Sequence, residues 1–261
     1  MKTTSKYNFK KLMSKSSALL ALILLMPLSS LALEGTQTGS VSGSSSTFCT
    51  NFAAESARIS ARMTEQSTKL ASAWSQQDSN VSSKTESNVQ KVAEARAKSD
   101  STRATNFTTL ESKATNSAQK QAVQIYEAAV KSAVSTRRSS YDAAKSSFRS
   151  AVQTAVAARH TSVNAQLSTF NAAVNNAIST ASASCKASPT NSSMIHDTFK
   201  ASLKSAKTAF ENGRSSDATV GSAVKQLAIT RNNAFKVADS AFQAAMSAAK
   251  DALKVAFTKA V

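Results

Sequence analysis

The chain has 261 residues and a formal net charge of +17, with 32 Lys and Arg against 15 Asp and Glu. Only 5 Gly, 2 Pro and 2 Cys occur, which excludes a turn-rich globule and a disulfide-dense scaffold. Ala, Ser, Thr and Lys dominate, and no alternating β-branched run marks a hairpin. An all-α chain of a few long helices is expected.

The first 32 residues read as a secretory signal peptide. Lys2, Lys6, Lys10, Lys11 and Lys15 form a basic start, Ala18 to Leu28 an apolar run, and Ser30-Leu31-Ala32 a small-residue cleavage site. The alternative is an uncleaved N-terminal anchor running to Leu33. Secretion, or placement in the periplasm or at the cell surface, is expected. Cleavage after Ala32 removes five lysines and leaves 27 basic against 15 acidic side chains, a net +12. Residues 33–47, with Gly35, Gly39 and Gly43, are a flexible leader.

From Phe48 the pattern becomes helical and continues to residue 261 as one long-helix domain. Phe48, Ile59, Leu70, Val81 and Val92 recur every eleven residues, and Phe52, Met63 and Trp74 do so beside them. That period keeps the side chains on one slowly drifting face. The stripe thins between Gln76 and Thr105, where a frayed or solvated helix is expected. The first helix should cover about 48–115.

Thr115-Asn116-Ser117 is the stop-and-restart signal. Asn116 can cap a second helix, about 118–186, with Gln119 at the third position of a capping box. From Val123 to Ile178 apolar residues fall at threes and fours, close to a coiled-coil heptad (Val123, Tyr126, Val130, Tyr141, Phe148, Val163, Val174). Residue 117 lies midway between Cys49 and Cys185. A fold-back there brings the two thiols together at the open end of a hairpin, where export permits a disulfide. Two free buried thiols are the alternative.

Ser188-Pro189-Thr190-Asn191 is a turn, because proline drives its predecessor out of the helical region. A third segment follows, read as helices at about 193–212 and 217–261, broken at Gly213 and recapped by Asp217. Ile195, Phe199, Leu203, Ala206 and Phe210 share a face, then Val224, Leu227, Phe235, Ala238, Phe242, Ala245, Ala249, Leu253 and Phe257. Three segments of nearly equal length, each roughly 100 Å if fully helical, predict an elongated antiparallel three-segment rod or bundle.

Thr-Arg followed by an aromatic residue recurs at Thr102-Arg103…Phe107, Thr136-Arg137…Tyr141 and Thr230-Arg231…Phe235. The last two extend further: Tyr141, Ala144, Phe148, Ala151 and Val152 match Phe235, Ala238, Phe242, Ala245 and Met246 at a constant offset of 94. Duplication of an amphipathic unit and chance similarity of two alanine-rich helices both account for this. The aromatics are read as core.

The runs Phe48-Cys49-Thr50 and Ala118-Gln119-Lys120-Gln121-Ala122-Val123, with the two extended Thr-Arg units, resemble uncharacterised secreted proteins of Patescibacteria-type candidate-phyla bacteria. Those proteins pair a signal peptide and two cysteines with Ala/Arg-rich long helices. The resemblance covers most of the mature chain, except that residues 60–106 are richer in Ser and Thr. It implies a compartment and a shape, and it supplies no activity.

Catalytic signatures are sparse. His160 and His196 have no partner at metal-ligand spacing, and Asp197 beside His196 reads as a loop or N-cap pairing. No phosphate loop, nucleophile elbow or zinc motif occurs. A non-enzymatic protein without cofactor or metal is expected.

Charge points to partners instead. The excess is about +2 over residues 48–116, +6 over 117–186 and +5 over 187–261. Lys131, Arg137, Arg138, Lys145 and Arg149 form the densest patch, with Asp142 as the one acidic residue among them. Such a face attracts anionic cell-surface polymers, lipids or proteins, or else serves only solubility. The expected function is a structural or interaction protein of the cell envelope. A periplasmic-type holdase chaperone, which needs oligomerisation to form a cavity, and an extracellular nucleic-acid binder are the alternatives.

Overall fold

The computed structural model describes residues 47–216 and 219–258, the backbone alone at 214–216 and 219–220. The expected signal peptide, the expected leader of residues 33–47 except for Thr47, and the expected Asp217 cap lie outside the described residues. The fold is all-α. Helix α1 spans Phe48–Glu111, α2 Ser117–Ala187, α3 Ser192–Ser216 and α4 Thr219–Thr258, with a short 3-10 turn at Pro189–Asn191. No strand occurs among the described residues.

The turn chemistry follows the sequence closely. Asn116 Oδ1 accepts the Gln119 backbone N–H at 2.9 Å, so Asn116 is the N-cap of α2. Gln119 folds back, but onto the residue before the cap. Its Oε1 accepts from Thr115 N–H and Thr115 Oγ1, both at 2.8 Å. Gln119 is buried by this double contact. At the other end of α2, Ser188 takes φ −146° and ψ 69°, outside the helical region, as a residue before proline must.

Gly213 does not break the third segment. Helix α3 runs through it to Ser216, and no glycine among the described residues has positive φ. The glycine serves close approach. A Cβ there would lie 3.1 Å from the Gln166 side chain of α2, and Gln166 Nε2 donates to the Gly213 carbonyl at 3.1 Å.

The chain divides into two compact units, one formed by residues up to 79 with 156–222, the other by 80–155 with 223–261. In the first, α1 and α2 run antiparallel: Cys49 meets Cys185, and Trp74 stacks on His160 with centroids 4.2 Å apart. Helix α3 is antiparallel to α2 in turn, with Ile195 and Phe199 against Ala177 and Ala181. Alanines at these positions let the helices come close enough for Phe48, Phe52 and Phe199 to form one aromatic cluster, with centroids 5.0 to 5.8 Å apart.

The second unit holds the turn between α1 and α2, with Phe107 edge-on to Tyr126 beside it. Helix α4 packs antiparallel on α2 around Tyr141, Phe235 and Ala238. The α4 stripe departs from expectation at Ala245, which is exposed. The covered line passes through Met246 and Ala249 instead, a four-then-three spacing in which the long methionine side chain fills space an alanine cannot.

The eleven-residue track of α1 does not end where its apolar residues do. Residues 76–105 are helical throughout. Stepping on by eleven from Trp74 gives Thr85, Arg96 and Phe107, and from Val92 gives Arg103, all at least half-buried. Arginines thus occupy stripe positions where apolar residues are lacking. They are held there by aspartates.

Candidate functional site

The basic residues of α2 divide into two groups once the neighbouring helices are in place. Arg138 is bound to Asp100 of α1 by a two-armed contact, Nη1 and Nη2 each 2.8 Å from a carboxylate oxygen. Asp100 also pairs with Arg103 one turn along α1. Arg96 makes a matching fork with Asp142, at 2.7 and 2.8 Å. Planar guanidinium and carboxylate groups suit this geometry. The Arg138 hydrogen bonds, reinforced by Arg103, hold the Asp100 carboxyl down at about 2. The Arg96 hydrogen bonds likewise lower Asp142.

Arg137 faces α4. Its Nε donates to Asp239 Oδ1 at 2.7 Å, and Tyr141 OH donates to Asp239 Oδ2 at 2.8 Å. Its guanidinium lies 5.2 Å from the Tyr141 ring centroid and 5.0 Å from that of Phe242. Burial is the largest influence on Arg137 and opposes its charge. The hydrogen bonds and charge of Asp239 and Tyr141 outweigh it and raise the pKa above the ordinary value. Burial first, then the Asp239 hydrogen bond, pushes the Tyr141 hydroxyl up.

The remaining residues of the patch differ. Lys131 pairs with the half-buried Glu127 on its own helix at 2.7 Å, but the lysine is exposed, and such pairs contribute little. Arg149 is exposed and Lys145 half-buried; neither has a carboxylate within salt-bridge distance among the described residues. Burial lowers the Lys145 pKa, and the charges of Arg96, Arg149 and Arg231 add to the effect against that of Asp142.

Arg231 joins this group from α4. It lies over the Phe148 ring at 4.5 Å and donates from Nε and Nη2 to its neighbour Asn232 at 3.2 and 2.9 Å. Burial lowers its pKa. Its place 82 residues beyond Arg149 hides it from any linear count of charge. The offset of 94 that relates it to Arg137 was the available signal. The same limit applies to the acidic residues: Asp100 and Asp239 neutralise the patch from other helices, where Asp142 was the one offset visible in the run.

The two cysteines are joined as a disulfide, with Cα atoms 5.3 Å apart. Beside it, Ser192 Oγ accepts the Cys49 backbone N–H at 3.1 Å, so the first residue of α3 caps the start of α1. His160 is packed face to face on Trp74. His196 meets Phe48 edge-on at 5.0 Å. Asp197 lies 3.5 Å from its Nδ1 inside α3, so their pairing is within a helix and not in a loop or cap. Among the described residues no His, Cys, Asp and Glu group could hold a metal ion. A groove of about 250 Å³ between α2 and α3, lined by residues such as Ala177, Thr180, Met194 and Thr198, has no titratable side chain in its lining. No helix among the described residues is long and apolar enough to cross a membrane.

Compared with known proteins, the chain matches no family model, no curated protein and no solved structure.

Proposed function

We propose that this is an exported, non-enzymatic interaction protein of the cell envelope that docks on an anionic surface or partner through basic side chains of its second unit. The observation that carries the reading is the division of the cations. Arg96, Arg103, Arg137 and Arg138 are engaged by aspartates, whereas Lys145, Arg149 and Arg231 have no such partner. Charge used for packing helices is balanced locally. Unbalanced charge on one side of a helix pair, maintained against the cost of burial at Lys145 and Arg231, calls for an external anion. The joined cysteines support export, since a reducing cytosol opposes such a bond.

A surface of phosphates or carboxylates fits better than single-stranded nucleic acid. Single strands are gripped by exposed aromatic rings, and no Phe, Tyr or Trp is among the exposed large apolar side chains of the described residues. Duplex DNA shares the phosphate chemistry and belongs in the test as a competitor.

Co-sedimentation of the exported protein with phosphatidylglycerol and phosphatidylcholine vesicles tests the reading. Binding to the anionic vesicles at ~50 mM salt and release at ~500 mM is expected, because the attraction is screened. Equal indifference to both vesicle types and to duplex DNA would reduce the charge to a solubility device.

A further inference from the structure

The two matching Thr-Arg units of α2 and α4 pack against each other, and their contacts repeat about a local two-fold. At its centre the Tyr141 and Phe235 rings stack at 4.2 Å, 8° from parallel. Arg137 covers Tyr141 of its own helix and Phe242 of the other. Arg231 covers Phe235 of its own helix, at 5.8 Å, and Phe148 of the other. Adding 94 to Arg137, Tyr141 and Phe148 gives Arg231, Phe235 and Phe242. Each contact therefore has a twin.

The symmetry fails at the polar positions around the stack. Asp239, which binds Arg137 and the Tyr141 hydroxyl, has Lys145 as its counterpart. The Tyr141 hydroxyl has no counterpart either, because Phe235 stands there. On one side of the stack an arginine meets a carboxylate. On the other, the twin arginine is set opposite a lysine, with Arg149 one turn further along α2. Asp142, one turn before Lys145, is taken up by both arms of Arg96. Two hydrogen-bonding nitrogens of Arg231 go to Asn232, which leaves Nη1 and the Lys145 ammonium as donors. Net positive charge is thus built into a helix contact whose twin is neutralised.

We infer that Arg231, Lys145 and Arg149 form an oxyanion site, which takes a phosphate or sulfate group where the twin site uses the Asp239 carboxylate. A tetrahedral oxyanion accepts from a guanidinium and an ammonium at once. It would remove the repulsion between them and lock α4 onto α2. The inference rests on the docking reading above, and names the chemistry that the docked surface must present.

The test uses pyrophosphate as probe, in chloride matched for ionic strength. Pyrophosphate should raise the melting temperature of the wild-type protein above the chloride control. Calorimetry should show affinity falling about tenfold or more in Arg231→Gln. Lys145→Asp is the sharper variant, because it rebuilds the twin's ion pair. It should melt higher than wild type in chloride alone and gain nothing from pyrophosphate. An equal pyrophosphate increment in wild type and Lys145→Asp, or no increment in wild type, overturns the site. Vesicle binding separates the two readings. Vesicles bound without a pyrophosphate effect would leave docking standing and remove the site. A pyrophosphate effect that Lys145→Asp abolishes, without vesicle binding, would keep the site and assign it to a free oxyanion.

Discussion

Arg138 of α2 and Asp100 of α1 are joined by two hydrogen bonds of 2.8 Å each, at a point where α1 has no apolar residue to offer. Asp100, held at about 2 chiefly by Arg138, makes the contact sensitive to acid. A carboxylate with a depressed pKa stabilises the fold above its unfolded value, near 3.9. That contribution is lost as pH falls from there through the folded value. The melting temperature should therefore drop between about pH 4 and pH 2. Asp100→Asn should melt lower than wild type at pH 7 and show a smaller acid drop. A variant whose acid profile matches the wild type would show that the fork contributes no stability.

How far the sequence reached depends on the kind of contact. Apolar spacing and turn chemistry were legible: Phe48, Leu70, Val123 and Val174 are buried, and Asn116 caps as its neighbours imply. These signals are local, so a linear reading captures them. The ion pairs were not legible, because Asp100 and Asp239 meet Arg138 and Arg137 only after the helices are aligned. Arg96 and Arg103 occupy stripe positions that look like gaps in an apolar pattern. Gly213 misled for a related reason, since its role is set by Gln166 on another helix and not by its own backbone.

Ser192 is buried and accepts the Cys49 N–H across 143 residues of sequence. A cap supplied from a distant residue ties α1 to α3 as well as satisfying a helix terminus. Ser192→Ala should cost about 1–2 kcal/mol in denaturant unfolding. A loss confined to the first turn of α1 in amide exchange, with unchanged global stability, would show that water replaces the cap.

The disulfide closes a loop with a sequence separation of 136. The chain-entropy argument assigns such a loop ~4–5 kcal/mol. Cys49→Ser with Cys185→Ser should lower stability toward that amount while far-UV circular dichroism stays helical. Mass mapping of the unreduced protein should recover the two cysteine peptides linked. Both thiols recovered free would remove this closure from the account.

Gly213 offers a test of close packing between α2 and α3. An alanine in a helix interior is favoured over glycine by ~1 kcal/mol. Here its Cβ would press on Gln166 at 3.1 Å, which offsets that gain. Gly213→Ala should be nearly neutral in the wild type and stabilising by up to ~1 kcal/mol in a Gln166→Ala background. Equal effects in both backgrounds would mean that the two residues are not coupled.

On the reading we propose, the basic residues of the second unit have two separate uses, helix pairing and anion docking. Arg137→Gln with Arg138→Gln breaks the pairs to Asp239 and Asp100, and Lys145→Gln with Arg149→Gln and Arg231→Gln leaves every aspartate pair intact. The deciding measurement is the affinity of both variants for phosphatidylglycerol vesicles at ~50 mM salt, where such contacts are strongest. The first variant should melt lower yet bind within about threefold of wild type, and the second should keep its helix content and lose about tenfold or more in affinity. Equal loss of binding in the two variants, or full binding by the second, would contradict that reading.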